Sequence, residues 1–128
     1  WLAGRPVLLV EDNAVNARVA RAHLERAGIA LQHVENGQLA LERVQQEEFA
    51  LVLMDCQMPV LDGYAATRAI RALSGPASRV RIVAMTAHAM AGDRERCLEA
   101  GMDDYVTKPL RLPELVRALR AVIARRAA

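Results

Sequence analysis

Aromatic residues are nearly missing from this chain: one Trp, two Tyr and one Phe, 3% of 128 positions. Any core must therefore be built from Leu, Val, Ile, Ala and Met, and a hydrophobic content of 53% is ample for one. Cysteine is scarce too. Cys56 and Cys97 are too few for a disulfide framework and match no zinc spacing, so reduced thiols in a cytoplasmic protein are expected. No apolar run approaches the roughly 18 residues a membrane-spanning helix needs, and no signal peptide is visible. An excess of one charge is also lacking. Seventeen basic against fifteen acidic residues leave a net charge of +2, with arginine supplying nearly all the positive charge. No nucleic-acid or membrane partner follows from so mild a balance. The length suits one domain. The chain starts at Trp1 rather than at a methionine, and residues 1–128 are expected to form a single domain excised from a longer chain.

What is present is alternation. Short apolar runs occupy 6–10 (PVLLV), 29–34 (IALQHV), 49–54 (FALVLM), 80–85 (VRIVAM) and 104–108 (DYVTK). Between them lie stretches with helical spacing: 14–27, 38–48, 63–73, 90–101 and 112–126. In the first helix Ala20, Leu24 and Ala27 share a face, and Gly28 ends it. Asp62 precedes Gly63 as a good N-cap, and SGPAS (74–78) reads as a loop. The last helix places Leu112, Leu115, Leu119, Val122 and Ile123 on one side. The helix at 90–101 has the thinnest apolar stripe: Met90, Cys97, Leu98 and Ala100 against five charged residues. Five strands alternating with five helices through short connections predict an α/β fold, a parallel sheet covered by helices on both faces. Ligands of such sheets bind beyond the carboxyl ends of the strands.

Those ends carry the chemistry. The first strand runs into Glu11-Asp12, the third into Asp55, the fourth into Thr86 and the fifth into Lys108, while the second offers only Glu35-Asn36. Three crowded carboxylates repel one another unless a cation relieves them. Mg²⁺ takes oxygen ligands and commonly shares its shell with a phosphate. Three carboxylates, Mg²⁺ and one lysine sum to zero formal charge. Carboxylate, metal, lysine and hydroxyl are the parts of phosphoryl transfer, with one acid as nucleophile. Asp55, on the innermost strand, is the best placed nucleophile.

Over nearly its whole length the sequence resembles the response-regulator receiver domains of two-component signalling. The resemblance rests on LLVEDNAVN, LVLMDCQMPVLDG, IVAMTAHA and AGMDDYVTKPL, found together and in this order. It implies a flavodoxin-like doubly wound (βα)5 fold with strand order 2-1-3-4-5. By position, it implies that Asp55 accepts a phosphoryl group from a phosphohistidine. Asp12 then binds Mg²⁺ directly, Glu11 largely through water, and the backbone carbonyl of Gln57 completes the protein ligands. Thr86 bonds the phosphoryl oxygen, Lys108 pairs with it, and Tyr105 is the rotating aromatic of the switch. EDNxxN, DCQMPxLDGYxATRxIR and AMTAHAM are most similar to receivers fused to hybrid sensor histidine kinases. The partner implied is a histidine kinase or a histidine phosphotransfer domain. No direct contact with nucleic acid is expected, and the oligomeric state is left open.

Each residue taken alone has a plainer reading. Asp12 or Asn13 serves as an N-cap. Asp55 is a strand-end acid facing water, Thr86 a turn residue, and Lys108 a solvated lysine. What favours the site is that four strand ends agree. Asp103 and Asp104 read as solvent-facing, His23 as a histidine at the core edge, His33 as a strand surface residue and Cys56 as a small buried filler. The resemblance suggests that His88 tunes hydrolysis, and that the Lys108-Pro109 bond is cis. Two other classes fit the pattern less well. An aspartate-nucleophile phosphohydrolase wants an acid two residues after the nucleophile, where Gln57 stands. A flavodoxin-like module binding a small molecule cradles phosphate on Gly, Ser or Thr amides, where this chain has Glu-Asp-Asn.

Overall fold

Runs of Val, Leu and Ile make strands here because such side chains suit a pleated surface buried on both faces. A computed structural model describes residues 5–56, 58, 61–86, 92–108 and 111–127, with the side chains of 112 and 123–127 left aside. The order is β1 (Val7–Val10), α1 (Ala14–Arg26), β2 (Leu31–Val34), α2 (Gly37–Gln46), β3 (Leu51–Asp55) and α3 (Gly63–Arg71), then a 3-10 turn (Pro76–Arg79), β4 (Ile82–Thr86), α4 (Asp93–Ala100), β5 (Asp104–Thr107) and α5 (Leu112–Ala127). All pairings are parallel, in the order β2-β1-β3-β4-β5. The order reverses between β1 and β3, which puts a binding crevice at their carboxyl ends.

Alternation along the strands divides the interior in two. Val7, Leu9, Leu51, Leu53, Val83 and Met85 pack with Ala17, Ala20 and Leu24 of α1 and with Leu115, Leu119 and Val122 of α5. Leu8, Val10, Val52, Met54, Ile82 and Ala84 pack with Ala40, Val44, Ala66, Ile70 and Cys97 on the other face. Burying each such aliphatic side chain contributes about 1.5–3 kcal/mol. The helix starts are set by short polar side chains that accept from otherwise unbonded amides. Asn13 Oδ1 accepts from Val15 N (2.9 Å) and Asn16 N (3.0 Å), and Asp62 Oδ1 accepts from Ala65 N (2.8 Å).

Several expectations need correcting. β2, β3 and β4 begin two residues later than expected, at Leu31, Leu51 and Ile82. The residues before them, such as Ile29 and Phe49, are buried without strand pairing. α3 ends at Arg71, and the expected loop at 74–78 leads into the 3-10 turn. Ala27 is exposed, because it is the C-cap of α1 and Gly28 at φ 75° turns the chain away. Leu98 is 44% exposed, so α4 rests on Cys97 and Ala100. Asp103 is not solvent-facing. Its Oδ2 accepts from Ile82 N (2.8 Å) and pairs with Arg71 Nη2 (3.2 Å), tying the start of β4 to α3. Asp104 is half-buried. Expectations for Gln57, His88, Met90 and Pro109, and for the side chains of Leu112 and Ile123, fall outside the described residues.

Candidate functional site

Parallel register brings the predicted residues to one crevice. Val10 stands opposite Met54, Met54 opposite Ala84, and Thr86 opposite Thr107. The next residue of each strand, or its last, therefore ends at a similar height. Backbone bonds continue the ladders past the strands. Glu11 N donates to Val34 O (3.1 Å), Cys56 N to Met85 O (3.0 Å) and Lys108 N to Thr86 O (2.8 Å). Gly63 keeps α3 close behind: a Cβ there would sit 2.2 Å from Asp55 O, so only glycine permits this approach.

Glu11, Asp12, Asp55, Thr86 and Lys108 share one cleft of about 180 Å³. Glu11 and Asp55 are buried and Asp12 is exposed. Ligand atoms of the three acids all lie within 4.8 Å of one another. Lys108, the chain's single lysine, places Nζ 3.0 Å from Asp55 Oδ2 and 3.0 Å from Glu11 Oε2. The contact with Glu11 Oε2 is one of charge, without a well-aligned hydrogen bond, and that oxygen remains a buried acceptor. The other Glu11 oxygen, Oε1, accepts from Asn13 N (3.2 Å). Burial pushes the Glu11 carboxyl above its ordinary value; the Lys108 ammonium beside it opposes this and the Asp55 charge reinforces it. For Lys108, burial works against the charge, but its contacts with the Asp55 and Glu11 carboxylates outweigh it and hold the ammonium above its ordinary value. One ammonium against three carboxylates leaves the cleft with a formal charge of −2.

Of the predicted residues, the fold unites Glu11, Asp12, Asp55, Thr86 and Lys108. Tyr105 lies apart from the cleft, half-buried on β5 against the core that also holds Cys97. Sequence reasoning missed Asn16, which lines the cleft one helical turn after Asp12. The signal that could have found it is the EDNxxN run, which puts Asn16 in the first turn of the helix that Asn13 caps. It also missed His33, whose Nε2 lies 2.8 Å from Glu11 O and helps fix the acidic turn.

Residues 7–120 match the family model of the response regulator receiver domain. The chain belongs to that family. It is a receiver domain of two-component signalling. The sensor protein GacS of Pseudomonas syringae pv. syringae is 47% identical over 115 residues, 88% of this chain and 13% of GacS. Across eight curated relatives, the matched receiver spans between 3% and 14% of the relative's length. A solved structure, the receiver domain of sensor histidine kinase PA1611 from Pseudomonas aeruginosa PAO1, is 47% identical with a TM-score of 0.85. That match covers 94% of this chain and 98% of the other, and the PA1611 domain holds a magnesium ion in its active-site cleft. Another match, 31% identical with a TM-score of 0.84, covers 97% of this chain and 92% of a chain in a yeast complex. That complex pairs the Saccharomyces cerevisiae histidine phosphotransfer protein Ypd1 with the receiver domain of its downstream response regulator Ssk1. Among the described residues of the receiver, no helix is long and apolar enough to cross a membrane.

Proposed function

We propose that Asp55 accepts a phosphoryl group from a phosphohistidine, and that the receiver then changes the face it presents to a partner or passes the group on. The observation that carries this reading is the Lys108 ammonium, 3.0 Å from both Asp55 and Glu11, with a third carboxylate in the same cleft. An Asp55 carboxylate oxygen attacks phosphorus, and the phosphorus–nitrogen bond to the donor imidazole breaks. The imidazole nitrogen keeps the bonding pair. Lys108 stays beside the new acyl phosphate and offsets its charge. Thr86, at the end of the neighbouring strand, donates its hydroxyl to a phosphoryl oxygen.

The donor set fits Mg²⁺. It consists of hard oxygens, a residual charge of −2 and a buried Glu11 oxygen without a well-aligned hydrogen bond. Asp12 and Asp55 would hold the ion directly, Glu11 largely through water, and the Gln57 carbonyl is the remaining ligand proposed. When bound, Mg²⁺ neutralises charge on the transferring group. The partner proposed is a histidine kinase or a histidine phosphotransfer domain, the parent a hybrid sensor histidine kinase, and the location cytoplasmic.

An acyl-phosphate donor supplied with Mg²⁺ tests the reading. A receiver takes up one phosphoryl group per chain and stops. Rapid continuous turnover would favour the phosphohydrolase instead, and no labelling at all would favour a small-molecule module.

A further inference from the structure

A second concavity lies at the far end of the sheet from Asp55. It encloses about 140 Å³ among the segments that lead into β1, β3 and β4. Arg5, Glu47, Glu48, Arg79 and Arg81 supply its charged lining, a formal charge of +1. Val44 and Phe49, both buried, supply an apolar wall. We propose that this cavity binds a small aliphatic monocarboxylate, with the carboxylate on Arg81 and Arg79 and the alkyl end against Val44 and Phe49.

Both acids of the lining already have partners. Glu48 Oε2 lies 3.0 Å from Arg5 Nη2, and Glu47 Oε2 accepts from Gln32 Nε2. Arg79 and Arg81 make no ion pair among the described residues. Arg81 Nε is also buried with no hydrogen-bond acceptor among those residues. A buried donor that has lost its water recovers a hydrogen bond only from an incoming acceptor. A guanidinium offers its N–H groups as a planar fork that matches a carboxylate. The backbone carrying Arg81 is fixed on both sides. Arg81 O accepts from Val52 N (2.7 Å), and Val80 O accepts from Arg71 Nη1 (2.6 Å). A site held in place before the ligand arrives loses less freedom on binding.

Charge and size select the ligand class. One negative charge neutralises the lining, whereas a dianion leaves an excess beside Glu47 and Glu48, which disfavours it. The volume equals about five waters at about 30 Å³ each, which suits an acid of about four or five carbons. An inorganic anion leaves the Val44 and Phe49 wall without an apolar partner. An amine of the same length sets its charge against Arg81. Phe49 and Asp55 lie at opposite ends of β3, about 20 Å apart at about 3.3 Å per residue. The inference therefore does not rest on the proposed phosphoryl chemistry.

The test titrates the 128-residue chain with sodium butyrate at constant ionic strength, following backbone amides and arginine Nε–Hε resonances by NMR. The expected result is a saturating shift centred on residues 44–50 and 76–82, with the Arg81 Nε–Hε resonance moving and the amides around Asp55 still. Butylamine and inorganic phosphate should give no saturating shift on this face. Arg81→Gln should weaken butyrate binding by about tenfold or more, the loss of a charged hydrogen bond. Arg79→Gln, at an exposed position, should weaken it as well, and serves alone if circular dichroism shows Arg81→Gln unfolded. Butyrate shifts in the wild type that rise without saturating, spread over the surface arginines or centre on Asp55 overturn the proposal. Unchanged affinity in the folded variants also overturns it. Phosphate or butylamine saturating the same resonances overturns the monocarboxylate class.

Discussion

Replacing Lys108 with methionine keeps its length and removes its charge, leaving Asp55 and Glu11 buried without their ammonium. At 3.0 Å each ion pair is worth about 5 kcal/mol at an effective dielectric of about 20. Desolvation of the three groups offsets much of that, and the net cost of breaking a buried pair is about 3–5 kcal/mol. The variant has an escape that caps the loss, because one carboxyl can take up a proton. Starting from the ordinary glutamate value of 4.5, protonation at pH 7 costs about 3.4 kcal/mol, at about 1.36 kcal/mol per pKa unit. At pH 5 the same step costs only about 0.7 kcal/mol. Lys108 retains 19% side-chain exposure, so water screening brings the loss towards the lower end. Lys108→Met should therefore destabilise the metal-free protein by about 3 kcal/mol at pH 7 and by less than about 1 kcal/mol at pH 5. The sign follows from linkage: a carboxyl raised in the folded state favours folding at low pH, and stability falls as pH rises from 4.5 through the raised value. In the wild type, the raised Lys108 contributes fully below 10.5 and is lost as pH rises through its higher folded value. Urea unfolding at the two pH values, in EDTA, measures the difference. Equal losses at both would refute the charge argument, as would a negligible loss at pH 7.

Two further predictions concern the metal and the exit of the signal. Mg²⁺ should raise the melting temperature of the wild type by relieving repulsion present only in the folded state, and Asp12→Ala should lose that rise; an unchanged rise would remove Asp12 from the metal site. Thr86→Ala should still accept phosphate on Asp55 while losing the change at Tyr105. Amide NMR with beryllofluoride checks this, and shifts over residues 92–108 as large as in the wild type would break the proposed coupling.

The site was legible because its residues close strands. An apolar run followed by a polar residue is a local signal, and parallel pairing carries four such ends to one edge without long-range information. The caps Asn13 and Asp62 were legible for the same reason, being one side chain away from the amides they satisfy. What could not be read depends on partners distant in sequence. Asp103 stands beside charged neighbours and looks solvated, but its partner Arg71 is 32 residues earlier and bonds also to Gly101 O and Val80 O. Leu98 had the spacing of a core residue, but α4 is too short and too lightly packed to bury both Cys97 and Leu98. Strand starts shifted because apolar residues such as Phe49 can be buried by helices before pairing begins.

The acceptor assignment is the centre of this account, and intact mass after acyl-phosphate treatment with Mg²⁺ tests it most directly. Asp55→Asn is nearly isosteric and keeps an oxygen for Lys108, so its circular dichroism should match the wild type. The wild type should gain one phosphoryl group, stable to acid and labile to base, and the Asn variant should gain none. An Asn variant that takes up such a group at the wild-type rate would contradict the assignment of Asp55.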